Sequence, residues 1–267
     1  MKTDFHMHTE FSPDGSTPME DMIAASLRER LDIISITDHL DIGDPFEPYK
    51  SFSEKDYIDH FKKIDMCIEK YKGIIEIRKG MEVGYVKGFE NEDRGFVEKH
   101  DLDFVIGSIH NLGDIDYYIN DNDTNDFKKI ESLYLELIVD MIKNVDYYSV
   151  LGHINYPCKF RGFRETLFTY DAFKDKIDNI FKLLIEKGKG MEVNTSCLQT
   201  KGAFKAFLPV LKRYKELGGE IITIGSDSHN IHHVARSNFE AQSLLLEAGF
   251  NYICDFKKLE PIFIAID

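Results

Sequence analysis

Residues 220–229 read Glu-Ile-Ile-Thr-Ile-Gly-Ser-Asp-Ser-His (EIITIGSDSH), an apolar run that ends abruptly in polar side chains. A short, near-continuous apolar run suits a strand buried on both faces, as in a parallel sheet covered by helices. Just past it, Asp227 and His229 are two residues apart, and in extended chain such residues point to the same side. The opening segment KTDFHMH (2–8) repeats the arrangement with His6 and His8. Two neutral imidazoles gain little from each other, whereas a divalent metal between them gains a great deal.

Between these two segments the chain keeps one rhythm: a short apolar strand, a polar turn, then a longer amphipathic stretch. Further strand candidates are DIISIT (32–37), IIEIRKGMEVG (74–84), DFVIGSI (103–109), YSVLGHI (148–154) and GMEVNT (190–195). Helical segments are expected near 18–31, 54–72, 126–144, 171–188, 203–217 and 233–248. In 171–188, Phe173, Ile177, Ile180, Phe181, Leu184 and Ile185 recur at helical spacing, and Gly188 and Gly218 stand where helix C-terminal caps belong. Seven strand units alternating with helices predict an α/β fold. The form expected is a closed barrel of the β/α type with seven units, one fewer than eight, spanning residues 1–267 as one domain.

The polar residues favour a closed barrel over an open sheet. Six of the ten histidines (His6, His8, His39, His110, His153 and His229) stand at or just past a predicted strand end, with Glu82 and Asp227 in matching places. In a β/α barrel these ends converge on one rim, where active sites form. One histidine after a strand is ordinarily a satisfied loop or core residue, so the weight lies in the set. His60 and His100 fall away from strand ends and read as structural; His232 and His233 begin the last predicted helix and default to the same reading.

Composition narrows the function. At 43% hydrophobic and 30% charged, the 267 residues are ordinary for a globular protein, and no apolar run approaches the roughly 20 residues that cross a bilayer. The polar stretch before His6 and four scattered cysteines without a CxxC pair lead to the expectation of a cytoplasmic protein with reduced thiols. Cys158 and Cys197 each follow a strand, so one could lie near the site, although a space-filling role is the default. A formal charge of −14 disfavours nucleic acid as a partner.

The motifs HxH with TEFSPDG, then TDH, GMEVG, GSIH, GHI and GSDSH, in this order, resemble the polymerase and histidinol phosphatase (PHP) family over nearly the whole chain. The resemblance implies a distorted, TIM-like (β/α)7 barrel holding two or three divalent metals, commonly zinc, manganese or iron, at the C-terminal ends of the strands. It places His6, His8, Glu82 and Asp227 on one metal and Asp14, His39 and His229 on a second, with Glu82 bridging to a third completed by His110 and His153. FHMHTEFSPDG, EVNTS and the C-terminal AGFNYICDFKKLEPIFIAI lean toward the stand-alone histidinol-phosphate phosphatase branch. Arg161 matches a phosphate-binding arginine of the family, but Gln199 stands where a second is expected. Lys159, Arg164 and Lys201 are candidate substitutes, with a solvated surface role as their default reading.

The implied chemistry is hydrolysis of a small-molecule phosphate monoester, histidinol phosphate, by a metal-bridging hydroxide. Asp227 and His229 are candidates for the general acid by position, and Glu82 is read as a bridging ligand. Residues 111–127, with Tyr117 and Tyr118, read either as a lid over the site or as a surface excursion. Two alternatives stay open: a PHP phosphoesterase acting on nucleotides or nucleic acid ends, and a metal-stabilised module without catalysis.

Overall fold

The structure, a computed structural model, describes residues 1–45, 53–112, 115–116, 127–159 and 166–266. Seven parallel strands follow one another around a barrel in chain order: β1 (Thr3–Asp4), β2 (Ile33–Ile36), β3 (Glu76–Gly84), β4 (Phe104–Ser108), β5 (Val150–Leu151), β6 (Gly190–Asn194) and β7 (Ile222–Gly225). The first and last meet: Phe5 N–H donates to Ile224 O at 2.9 Å, Asp227 N–H donates to His6 O at 2.7 Å, and a parallel bridge joins Met7 to Ser228. The barrel expected from the sequence is therefore present, each strand lying inside its predicted segment. Its strands are buried along almost their whole length because helices cover the outside.

Those helices are α1 (Met19–Arg28), α2 (Glu54–Lys70), α3 (Glu90–Lys99), α4 (Phe127–Asn144), α5 (Tyr170–Glu186), α6 (Ala203–Glu216) and α7 (Asn238–Ala248). Gly188 and Gly218 adopt φ of 65° and 96° just past α5 and α6, the left-handed stop that glycine makes inexpensive. α7 begins at Asn238 rather than near 233, because Ala235 and Ser237 take φ of 56° and 50° and hold the chain in turns. The sequence reading did not foresee α3, whose charged ENEDRGFVEK carries Gly95 inside it and buries little apolar surface beyond Val97.

A second unforeseen element closes the barrel from below. β8 (Tyr252–Lys257) and β9 (Glu260–Ala265) form an antiparallel hairpin. From β8, Cys254 and Phe256 enter a buried cluster with Phe5, Ile33, Phe104, Ile106 and Val150. Phe256 lies 5.0 Å from the Phe104 ring, and Phe104 meets Phe5 edge-on at 5.2 Å. Arg78 clamps Asp255 with two hydrogen bonds of 2.8 Å, and Leu259 N–H donates to Asp103 O. With that end plugged, a large cavity lies at the other, where the strands end. Among the described residues no helix is long and apolar enough to cross a membrane.

Candidate metal centre and active site

The ends of the strands deliver the polar groups. His6 and His8 follow β1, and the parallel pairing of His39 with Glu82 sets these two residues side by side. His110 and His153 lie just past β4 and β5, and Asp227 with His229 just past β7. Glu82, near the end of β3, is the hub: Oε2 lies 3.1, 3.4 and 3.3 Å from His6 Nε2, His8 Nε2 and His39 Nδ1. Oε1 lies 3.2 and 2.9 Å from Nε2 of His110 and His153. Asp227 Oδ1 stands 3.8 and 3.5 Å from Nε2 of His6 and His8. Asp14 faces His39 Nε2 at 3.6 Å and His229 Nε2 at 2.9 Å. All nine candidate ligand residues are thus brought together, and only Asp14 and His229 keep appreciable exposure.

The proton positions reveal what this cluster can hold. His6 Nδ1 lies 2.7 Å from Glu192 Oε1 and His110 Nδ1 lies 2.8 Å from Asp41 Oδ1; a carboxylate only accepts, so both nitrogens carry protons. Ser12 Oγ gives its proton to Asp38 Oδ1 and accepts from His8 Nδ1 at 2.9 Å. Tyr134 Oη gives its proton to His153 O and accepts from His153 Nδ1 at 3.3 Å. Four imidazoles are therefore fixed with Nδ1 protonated, and their Nε2 lone pairs point inward. His6 Nε2 and His8 Nε2 then face each other at 3.1 Å, acceptor against acceptor unless a proton or a metal ion lies between them.

Only positive charge placed among these atoms relieves that arrangement. Protons supply part of it. Burial pulls His6 down, but the carboxylates of Glu192, Glu82 and Asp227 hold it well above its usual range. Against the same burial, Asp41 and Glu82 raise His110 to about 9. His8, desolvated and beside His229 and His39, is pushed down to about 3 and stays neutral. Burial opposes the charge on Glu82 too, yet His6, His110 and His39 keep its carboxyl well below normal. Divalent ions fit the same space. Donors sharing one tetrahedral zinc lie about 3.3 Å apart, given zinc–nitrogen bonds of about 2.0–2.1 Å, and the spacings here run from 2.9 to 3.8 Å. His6, His8 and Asp227 form one such group and Glu82, His110 and His153 another. Imidazole and carboxylate suit zinc, manganese and iron alike.

Several of these supports were missed in the sequence. Glu192 accepts from His6 Nδ1, from His153 N–H at 3.0 Å and from Asn194 Nδ2 at 3.1 Å. Gly225 makes room for it, since a methyl group there would stand 2.1 Å from Glu192 Oε1. Asp41 is accommodated in the same way by Gly84. The available signal was a repeated word: GMEV occurs at 80–83 and again at 190–193, each time with glutamate on a buried strand.

The cluster forms the floor of a cavity of about 690 Å³, within the range of small-molecule sites. Its walls include Tyr156, Lys159, Ser196, Gln199, Lys201, His233 and Arg236. Lys159 Nζ contacts Asp227 Oδ2 and, together with His6, holds that buried carboxyl well below its usual range. Cys158 and Cys197 line the cavity as free thiols, and burial pushes both upward in pKa. His60 packs between Phe11 and Phe61, and His100 packs on Phe61 and Phe96. Arg161, Arg164, Tyr117 and Tyr118 lie outside the described residues.

A closed β/α barrel with a histidine–carboxylate cluster at one rim defines a class, and the sequence profile of the PHP domain matches residues 4–196. The chain belongs to the PHP domain family. Its relatives include the "Probable histidinol-phosphatase" of Clostridium acetobutylicum, 30% identical over 86% of this chain and 87% of that protein. The histidinol-phosphatase of Lactococcus lactis is 27% identical over 97% and 96% of the two chains. The crystal structure of the L. lactis histidinol phosphate phosphatase, complexed with zinc, L-histidinol and phosphate, superposes with a TM-score of 0.90. It shares 26% identity over 98% of both chains.

Proposed function

We propose that this chain is a metal-dependent phosphomonoesterase that hydrolyses L-histidinol phosphate to L-histidinol and phosphate, with two or three divalent ions held by His6, His8, Asp14, His39, Glu82, His110, His153, Asp227 and His229. The observation that carries the reading is the inward-facing set of Nε2 lone pairs around Glu82, at the floor of a small-molecule cavity. It is supported by the likeness to an L. lactis enzyme crystallised with zinc, L-histidinol and phosphate. Bound divalent ions would supply a water of lowered pKa at neutral pH and offset the charge of the transferring phosphoryl group.

The chain's own residues do the rest. Glu192, Asp41, Ser12 and Tyr134 hold the Nδ1 protons and so keep four Nε2 atoms turned toward the reacting centre. Lys159 and His6 keep Asp227 ionised, so Asp227 enters as a carboxylate and not as a proton donor. Tyr156, Cys158 and Cys197 wall one side of the cavity with buried side chains, and beside such a wall charge interactions are stronger than in water.

The test offers the zinc- or manganese-loaded protein histidinol phosphate, a panel of sugar phosphates and short single-stranded DNA. Phosphate release from histidinol phosphate well above the panel is expected. Cleavage of DNA alone would replace this reading with a nuclease, and silence on every substrate would leave only a metal-stabilised module.

A further inference from the structure

A phosphomonoester carries two negative charges into a chain whose formal charge is −14, so the cavity must present cations that are not already spent on its own carboxylates. Lys159 is spent on Asp227. Gln199 carries no charge, and its side chain is engaged: Nε2 donates to Thr195 O at 2.8 Å and to Ser237 Oγ at 3.4 Å. That second contact leads to the neighbouring residue, Arg236, which lines the same cavity as Asp227 and His229.

Arg236 differs from the other partly buried arginines among the described residues. Arg78 forks onto Asp255, Arg94 reaches Asp146 at 2.6 Å, and Arg213 forks onto Asp178. No hydrogen bond or ion pair joins the Arg236 guanidinium to any described residue, although Asp227 stands near enough for its charge to be felt. A half-buried guanidinium without a carboxylate is costly to keep in an acidic chain, because the planar fork loses water and receives nothing in return.

The backbone goes to some length to hold it there. The residues on either side, Ala235 and Ser237, both adopt left-handed φ of 56° and 50°, a region that side chains with a Cβ enter reluctantly. The bracket is tied to the first strand of the barrel: Ala235 N–H donates to Asp4 Oδ2 at 2.9 Å and Asn238 Nδ2 donates to Thr3 O at 2.7 Å. Arg236 N–H closes the turn onto His233 O at 3.0 Å. Backbone strain of this kind persists where surrounding contacts impose it, and it concentrates where a side chain must be aimed.

We propose that Arg236 is a substrate-binding residue whose guanidinium takes the non-bridging phosphate oxygens, filling the place that Gln199 leaves without a cation. The assignment rests on the phosphomonoesterase reading above. Its fork matches two phosphate oxygens at once, which a lysine does not do. Gln199 becomes a positioning residue, steadying the Arg236–Ser237 turn through Ser237 Oγ instead of touching substrate.

The experiment compares wild type with Arg236→Ala, Arg236→Gln and Arg236→Lys, each metal-loaded and checked for metal content and melting temperature. Binding of inorganic phosphate is measured by calorimetry, alongside KM and kcat for histidinol phosphate and inhibition by L-histidinol, which carries no phosphate. Arg236→Ala and Arg236→Gln are expected to weaken inorganic phosphate binding and raise KM by about 10–100-fold, with Lys intermediate and L-histidinol inhibition unchanged. Adding Gln199→Arg to Arg236→Ala is expected to restore at least part of the phosphate affinity. Phosphate affinity within twofold of wild type in fully metal-loaded Arg236→Gln would overturn the proposal, as would equal losses for phosphate and L-histidinol. Failure of the wild type to hydrolyse any phosphomonoester would sink the catalytic reading instead, and the calorimetry would still decide whether Arg236 holds phosphate.

Discussion

The two ends of this barrel are made from the same seven strands and have opposite interiors. At the lower end Phe5, Phe104 and Phe256 fill the space, and the charged pair beside them, Arg78 with Asp255, is fully matched. At the upper end six histidines and three carboxylates replace the aromatic packing, and the Nε2 atoms of His6 and His8 stand 3.1 Å apart. The contrast shows how a β/α barrel divides its labour: one end contributes cohesion, so the other can hold an arrangement that is unfavourable until cations enter it.

The largest expected effect lies at the hub of the polar end. Glu82→Gln removes the carboxylate that five imidazoles share and should lower kcat/KM by at least about 10³-fold. Elemental analysis should find fewer bound ions, while the circular dichroism spectrum stays that of a folded barrel. A variant that keeps a tenth of its activity would break the comparison, because the upper end would then not depend on its centre. At the plugged end the balance reverses. Phe256→Ala should cost about 3–5 kcal/mol of stability in denaturant titration. The folded fraction should turn over at the wild-type rate; a matching loss of kcat/KM would mean that the two ends are coupled.

The intermediate case concerns Glu192, which touches the polar end only through His6, His153 and Asn194. Glu192→Gln keeps the shape and loses the charge that fixes the His6 proton. Metal affinity should fall by about 10–100-fold, as is usual for the partner of a metal-ligating histidine. Competition with a chelator of known affinity measures it. No change would reduce Glu192 to packing.

How these residues could be read from the sequence follows from their surroundings. The barrel was legible because buried parallel strands must be apolar runs, and the ligand candidates because each breaks such a run at its end. Glu192 has the same signature in its GMEV as Glu82, no histidine follows either one, and a carboxylate that supports a ligand makes no pattern of its own. The plug was illegible for a local reason: its hairpin turns on Lys258 and Leu259, both at positive φ (53° and 64°), without the Asn-Gly or Asp-Gly that announces such a turn. Arg236 was missed because its aim depends on left-handed alanine and serine neighbours, a conformation their residue types do not advertise.

The smallest predicted effect isolates what governs a buried carboxyl in this protein. Glu82 and Asp227 are buried, yet cationic neighbours keep them well below the usual range. Asp93, on α3, is equally hidden but has only the Tyr147 hydroxyl at 3.0 Å, and burial lifts it to about 7. Its folded pKa thus exceeds its unfolded value, so between the two the folded state binds the extra proton. The contribution to stability is complete at pH values below the unfolded pKa and is lost as pH rises through about 7. Asp93→Asn removes that titration without removing the contact to Tyr147. Relative to the variant, wild type should lose about 1 kcal/mol of stability between pH 6 and pH 8, measured by urea titration at each pH. Parallel curves for the two proteins would mean that Asp93 is ionised despite its burial, and that depth alone does not distinguish it from the carboxylates of the metal cluster.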